Sequence, residues 1–307
     1  MKISNFKFKI VIFLAVVLLC LPLIIKAAIL YFEPNEGKYH LEDTFIVDLR
    51  IDTEGECINT VKAIVSFPNE ILKVKDFSTG NSILTLWLEN PKIDQKAGEI
   101  SFIGGIPGGY CGPLLGEIER PNLLARIIFQ VVSSSFSHDL VKIALKEDSQ
   151  VLLNDGFGTP AKLILKEAIF TILPEKLETS REEWKEETEK DKVPPEPFEI
   201  TVYQDPLIFE GKYFIVFSTT DKQTGIDHYE IKEGKRSWKK AESPYLLEDQ
   251  SLKSIIKVKA VDKAGNERIV EYLPPKKPFP WWMIILPLGI IIGGAGYWFW
   301  RKIKFKN

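Results

Sequence analysis

Histidine, cysteine and methionine are scarce in this chain, with three, three and two copies among 307 residues. His40, His138 and His228 stand in no metal-ligand spacing such as HExxH. No GxSxG elbow occurs, and no grouping of serine, aspartate and histidine stands out. No catalytic residue, resident metal or cofactor is therefore expected. Charge of one sign is also lacking: 40 lysines and arginines face 42 acids, for a net charge of −2. That balance implies no nucleic-acid partner. Internal repeats are absent as well.

What the chain does have is apolar sequence at both ends. Residues 281–300 read WWMIILPLGIIIGGAGYWFW, with no ionisable side chain, followed by Arg301, Lys302, Lys304 and Lys306. About 20 apolar residues cross the ~30 Å hydrocarbon core. Tryptophans favour headgroup depth, and basic residues stay on the cytoplasmic side. A single transmembrane helix over 281–300 and a cytoplasmic basic tail over 301–307 are expected. Gly289 and Gly293 form a GxxxG pair, through which two such helices could associate as a weak homodimer. At the other end, Lys2, Lys7 and Lys9 precede an apolar run from Ile10 to Ile25 and the small Ala27 and Ala28. This is the layout of a signal peptide over 1–28. Cys20 follows Leu19, where a lipobox wants a small residue, so it is read as part of the discarded segment. The expected location is the plasma membrane, single-pass, with the N-terminal ectodomain outside.

Cys57 and Cys111 survive removal of the leader. Two cysteines in an oxidising compartment favour a disulfide. It would close a loop of about 55 residues and contribute on the order of 3–4 kcal/mol.

Between the two ends the pattern is all-β in two units. From 29 to 173, β-rich runs alternate with punctuation such as Phe67-Pro68-Asn69-Glu70, Ser78-Thr79-Gly80-Asn81 and Asn154-Asp155-Gly156. Many short strands at this spacing indicate an antiparallel sandwich. From 174 to 197 the composition changes. Between Glu175 and Lys192 lie eight acids and five bases, with Trp184 the only aromatic, and Pro194-Pro195-Glu196-Pro197 follows. Dense charge with little hydrophobicity supports no core, so this is read as a linker with room for a short helix near Arg181–Lys190. From 198 to 274 a smaller β unit follows, with a hairpin turn at Gly265-Asn266.

Few residues in the first unit suggest chemistry. The glycines from Gly104 to Gly112 open no helix and are read as an irregular turn or bulge at a strand end. Asn154-Asp155-Gly156 has too few acids for a calcium loop and is read as a turn. Asp48, Glu89, Glu99 and Asp155 could serve a glycosidase, but nothing in the sequence pairs them. Trp87 is the more informative residue. On a regular strand from Ile83 to Glu89, the leucines 84, 86 and 88 share one face, and Thr85, Trp87 and Glu89 share the other. An aromatic on a polar face can stack a sugar ring or anchor a partner. Tyr110 is a second candidate for the sugar reading.

The order of elements over 29–173 resembles the cohesin family. The resemblance rests on the run from Ile58 to Val74 (INTVKAIVSFPNEILKV), the strand Gly98–Phe102, the apolar strand Leu123–Val131 and the closing Val151–Gly156. It implies a nine-stranded jelly-roll similar to cellulose-binding modules, and non-catalytic binding of a dockerin whose calcium sits in the dockerin. Partner-contacting positions fall on Thr60 and Lys62, where the family's asparagine and aspartate are absent. The second unit resembles fibronectin type III or bacterial immunoglobulin-like modules, on Thr224–Ile231, Trp238, Ser243-Pro244-Tyr245 and Val258–Glu267. It implies a spacer or weak adhesion role, with Trp238 in the core.

The expectation is thus a jelly-roll cohesin-like sandwich, a charged linker, a smaller Ig- or FN3-like sandwich and one membrane helix. The function expected is non-catalytic display of a module that binds a dockerin-like protein for scaffolding or adhesion, with Thr60, Lys62, Thr85, Trp87, Glu89 and Tyr110 as binding residues. The alternative is a carbohydrate-binding module for extracellular polysaccharide, serving its degradation or attachment.

Overall fold

A computed structural model describes residues 26–112, 122–134, 139–274 and 282–304. Most of the expected leader, Cys20, His138 and the last three residues of the basic tail lie outside these.

Twelve strands in the first part of the chain form two facing sheets. They are β1 (Ala28–Glu33), β2 (Glu36–His40), β3 (Thr44–Asp52), β4 (Ile58–Ser66), β5 (Leu72–Ser78), β6 (Leu86–Asp94), β7 (Glu99–Tyr110), β8 (Leu123–Val131), β9 (Asp139–Leu145), β10 (Gln150–Leu153), β11 (Leu163–Leu165) and β12 (Ala168–Leu173). One sheet runs β11-β1-β3-β8-β5. The other runs β2-β12-β9-β4-β7-β6, with β10 also pairing β4. Alternation decides which side chains face inward. In β4, Val61, Ala63 and Val65 are buried while Lys62, Ile64 and Ser66 are half-exposed. Burying each such side chain stabilises by about 1.5–3 kcal/mol. An aromatic group fills the centre: Tyr39 stacks on Phe45 at 3.9 Å, and Phe129 and Phe170 close around Phe45. Cys57 and Cys111 are joined in a disulfide, as expected. The bond ties the loop before β4 to the end of β7.

The charged segment holds the short helix expected near Arg181–Lys190, and it is docked on its neighbour rather than left as a free linker. Helix α1 (Glu183–Lys190) lies across the outer face of the β3–β8 sheet. Trp184 is buried to 8% exposure, and its Nε1 donates to Asp76 Oδ2 at 3.1 Å. Glu183 Oε2 accepts the Ile46 N–H at 3.0 Å. The Arg181 carbonyl accepts from Thr44 N–H, and the Arg181 N–H donates to Asp43 Oδ1 at 2.7 Å. Glu187 pairs with Arg126 at 2.7 Å. Composition correctly excludes a core inside this segment. It does not reveal that one tryptophan and a set of main-chain bonds dock it onto a neighbour. Residues Leu123 and Ile128 of β8 are also buried, yet stand outside the main core cluster, as expected for a sheet covered on both faces.

The second unit has two smaller sheets. Strands β13 (Thr201–Asp205), β14 (Ile208–Val216) and β17 (Tyr245–Leu246) form one. Strands β15 (Ile226–Glu233), β16 (Lys239–Ala241), β18 (Ile256–Asp262) and β19 (Glu267–Tyr272) form the other, in the order β16-β15-β18-β19. Its core is compact: Ile215, Phe217, Ile231, Leu247, Ile256 and Val258. Trp238 is not in that core, contrary to expectation. It is half-buried beneath two ammonium groups, with Lys259 Nζ 5.2 Å and Lys232 Nζ 6.0 Å from the ring centroid. The hairpin at Gly265-Asn266 is present, with Gly265 at φ +86°.

The two sandwiches meet main chain to main chain. Gly80, just after β5, lies so close to the 223–225 loop that a Cβ there would sit 2.1 Å from the Gln223 carbonyl oxygen. Ser78 Oγ donates to the Thr224 carbonyl at 2.6 Å, and Lys263 Nζ reaches Asp76 Oδ1 at 2.7 Å. At the C-terminal end, helix α2 runs from Trp282 to Lys304. Among the described residues no helix is long and apolar enough to cross a membrane.

The docking of α1 depends chiefly on Trp184. Truncation of buried tryptophans costs on the order of 3 kcal/mol. Trp184→Ala should therefore open the 181–190 segment to protease while leaving the sandwich cores folded. Limited proteolysis read by mass spectrometry checks this, and an unchanged cleavage map would refute the docking.

Candidate functional site

The outer face of the β4–β7–β6 sheet brings three of the six predicted binding residues together. Register fixes the rows. Thr60 lies opposite Gly105, which lies opposite Leu86. In the next row Lys62 lies opposite Ile103, which lies opposite Glu89. Beyond β4, β10 adds Leu152 beside Thr60 and Gln150 beside Lys62. Strand spacing of ~4.8 Å places Lys62 and Glu89 about 10 Å apart, with the Ile103 side chain between them. The result is a flat surface with an apolar centre and a charge of each sign on its flanks. Glu89 is also 3.4 Å from Lys92; among the described residues Lys62 forms no ion pair.

The other three predicted residues are placed differently. Thr85 is exposed just before β6, and its N–H donates to the Gly105 carbonyl. Trp87 does not share an exposed face with Thr85 and Glu89. Its ring meets Phe102 at 5.5 Å and Phe77 at 6.3 Å, both edge-on, and it packs against the main core. Leu86 and Leu88 point outward instead, at 50% and 58% exposure. The cause is local. Leu84 is buried and Leu86 exposed, so alternation breaks before β6 begins, and pairing shifts register again between Trp87 and Glu89 and between Glu89 and Lys92. Tyr110 is buried too, at 7% exposure. The sugar reading thus loses both aromatic platforms.

Pro91 was the available signal for this arrangement. Proline within a sheet is confined to edges and bulges, and β6 is the edge strand. Leu86 and Leu88 are the surface residues that the alternation argument missed. Gly104 explains why β6 can approach so closely: a Cβ there would lie 2.6 Å from Leu84 Cδ1. The Gly108 and Gly109 pair, with φ near +80°, forms the irregular strand end expected of the glycine run. Asp155 lies in a bend where its carboxylate accepts the Phe157 N–H at 2.8 Å. The Thr159 hydroxyl, and then that backbone bond, hold its carboxyl below the usual range.

The acids considered for glycoside cleavage each take a local partner. Asp48 is buried between Arg50 and Arg126, at 2.7 and 3.2 Å. Glu99 pairs with Lys146, and Glu89 with Lys92. A cleft of about 560 Å³ beside α1 is lined by Lys38, His40, Asp43, Arg181, Glu182 and Lys185 among others. Its charges alternate in sign and favour no one ligand. One group of three acids does converge among the described residues, Asp191, Asp221 and Asp262. Their separation along the chain hides this from a sequence reading, which expected no metal ligands.

No family model matches the chain, and no curated protein matches it. Solved structures do match, cohesin modules among them. A non-cellulosomal cohesin from the archaeon Archaeoglobus fulgidus is 16% identical, over 48% of this chain and 91% of that one, with a TM-score of 0.36. The OlpC cohesin, solved in a cohesin–dockerin complex from Clostridium thermocellum, is 17% identical over 48% and 93%, at 0.38. The seventh ScaB type I cohesin from Pseudobacteroides cellulosolvens is 14% identical over 51% and 98%, at 0.38. At these values the likeness assigns neither a family nor a function.

Trp87 serves the core rather than a ligand, so Trp87→Ala should lower the unfolding free energy by on the order of 2 kcal/mol through lost packing against Phe77 and Phe102. Chemical denaturation checks this; a variant as stable as the parent would show that the ring is not packed.

Proposed function

We propose that this chain is a non-catalytic recognition protein of the cell surface, which binds a dockerin-like protein module on the outer face of its β4–β7–β6 sheet. The observation that carries the reading is the register row Glu89–Ile103–Lys62. A flat sheet with an apolar centre and flanking opposite charges suits a protein partner, because apolar anchors supply affinity and charges set orientation. Exposed Leu86 and Leu88 extend the apolar area along the edge. A cohesin–dockerin complex is what the OlpC structure contains, and the order of elements in this chain resembles that family. Glycan binding is the alternative; it would have to proceed without the buried Trp87 and Tyr110.

The test is a panel of calcium-loaded dockerin modules passed over the immobilised full chain, beside a glycan array. Binding of a dockerin that falls at least tenfold (about 1.4 kcal/mol) in Lys62→Glu and in Leu86→Asp supports the reading. Glycan binding with no dockerin binding overturns it.

The same reading places α2 in the plasma membrane, with the sandwiches outside and Arg301 toward the cytoplasm. Every described side chain from Met283 to Trp298 is exposed. A helix apolar on all sides needs a nonpolar surrounding. Gly289 and Gly293 have open space beside them, which leaves room for a second copy of the helix. Protease added to intact cells should remove both sandwiches. Digestion only after permeabilisation would place them inside and reject this topology.

A further inference from the structure

Three carboxylates meet where the second sandwich joins α1 and β5. Asp191 caps the C-terminal end of α1. Asp221 lies in the loop between β14 and β15, and Asp262 ends β18. One oxygen of each lies within 4.8 Å of one from each of the others. The three residues are 1%, 3% and 2% exposed.

Among the described residues no cation balances them. Of the lysines adjacent in sequence, Lys190 turns toward Glu186, Lys222 to Glu196, and Lys263 to Asp76 and Asp227, while Lys192 is exposed. Among the described residues none of the three acids forms an ion pair. Hydrogen bonds fill most of their oxygens. Asp191 accepts from Val193 N–H and from the Thr224 hydroxyl. Asp262 accepts from the N–H groups of Ala264 and Asn266 on one oxygen and from the Asn266 side chain on the other. Asp221 accepts from the N–H groups of Gln223 and Gly225, both on Oδ1. Among the described residues no donor reaches its Oδ2. A residue only 3% exposed therefore keeps one carboxylate oxygen free of hydrogen bonds, with a trace of solvent access, beside two further buried carboxylates.

Buried charges are normally paired or hold a metal. Among the described residues the pairing group is missing, and what is offered is oxygen only. Zinc prefers nitrogen and sulfur. Magnesium demands near-ideal octahedral geometry and keeps several waters. Calcium accepts irregular sets of carboxylate, carbonyl and water oxygens.

We propose that Asp191, Asp221 and Asp262 together bind one calcium ion, which fastens the end of α1 to the second sandwich and sets how the two sandwiches are joined. The loop carrying Asp221 is the one that meets β5: the Asn81 N–H donates to the Asp221 carbonyl at 3.1 Å, and the Thr224 carbonyl takes the Ser78 hydroxyl. Asp191 is the ligand from outside the second sandwich, so occupancy and junction stiffness are coupled. This site is separate from the recognition face and stands whether or not that face binds a dockerin.

The test uses the full chain in detergent, stripped with EDTA and then given calcium to about 1 mM, within the range of extracellular calcium modules. Isothermal titration should show one ion per chain. Tryptic cleavage after Lys190 and Lys192 should slow by roughly tenfold or more, as ligand stabilises the closed form by mass action. Asp221→Asn should remove both responses and leave dockerin binding at the parent level. If that variant does not fold, Asp191→Asn replaces it, since its amide oxygen can still accept from the Val193 N–H while its NH2 group donates to the Thr224 hydroxyl. The absence of any calcium response, an unchanged response in the variants, or an equal response to magnesium would overturn the assignment.

Discussion

Asp76 stands where three parts of the chain touch. One carboxylate oxygen takes the Trp184 indole N–H of α1, and the other takes the Lys263 ammonium of the second sandwich. Asp76 itself belongs to β5, at the edge of the first sandwich. The position of α1 and the approach of the second sandwich therefore depend on the same side chain. Because β5 shifts register against β8 between Val74 and Asp76, this carboxylate departs from the plain alternation of its strand. A charged hydrogen bond of this kind contributes about 1.5–3 kcal/mol. Its larger effect is geometric, since each partner constrains where the other can lie.

The recognition face depends on a different constraint. Strand β7 is long and irregular, with a register shift opposite Ile58–Thr60 and two more opposite β6. The shifts opposite β6 fall after Trp87 and bring Glu89 into line with Ile103 and Lys62, while Leu86, Trp87 and Leu88 alternate outward, inward and outward. The side chains a partner would meet are thus selected by backbone irregularity as much as by residue type. The stretches Val61–Ser66 of β4 and Glu99–Gly104 of β7, by contrast, follow strict alternation.

Much of the fold was legible because it rests on local rules. The two β-rich units, the Gly265-Asn266 hairpin and the Asn154–Gly158 bend follow from turn chemistry and alternation. The disulfide follows from there being only two cysteines beyond the leader. Lys62 was legible on the outer face because β4 alternates regularly from Val61 to Ser66, whereas Thr60 and Glu89 reach that face beside register shifts. Trp87 and Trp238 were misplaced for related reasons: one sits at a bulge, and the other is held under two lysines brought together by tertiary pairing. The 174–197 segment reads as solvated because composition averages over residues, whereas its docking turns on Trp184 and main-chain bonds. The convergence of Asp191, Asp221 and Asp262 has no local signature at all, being a product of three loops meeting.

The contact between Gly80 and the 223–225 loop limits how modular the chain is. Gly225 is at φ +83°, and a Cβ on it would lie 2.6 Å from the Gly80 nitrogen. Neither loop has space for a side chain where they cross, so each is shaped to the other's backbone. Transplanting the first sandwich onto a foreign stalk would leave an unfilled notch at Gly80, and a chimera would keep the native posture only if both loops were moved as a matched pair.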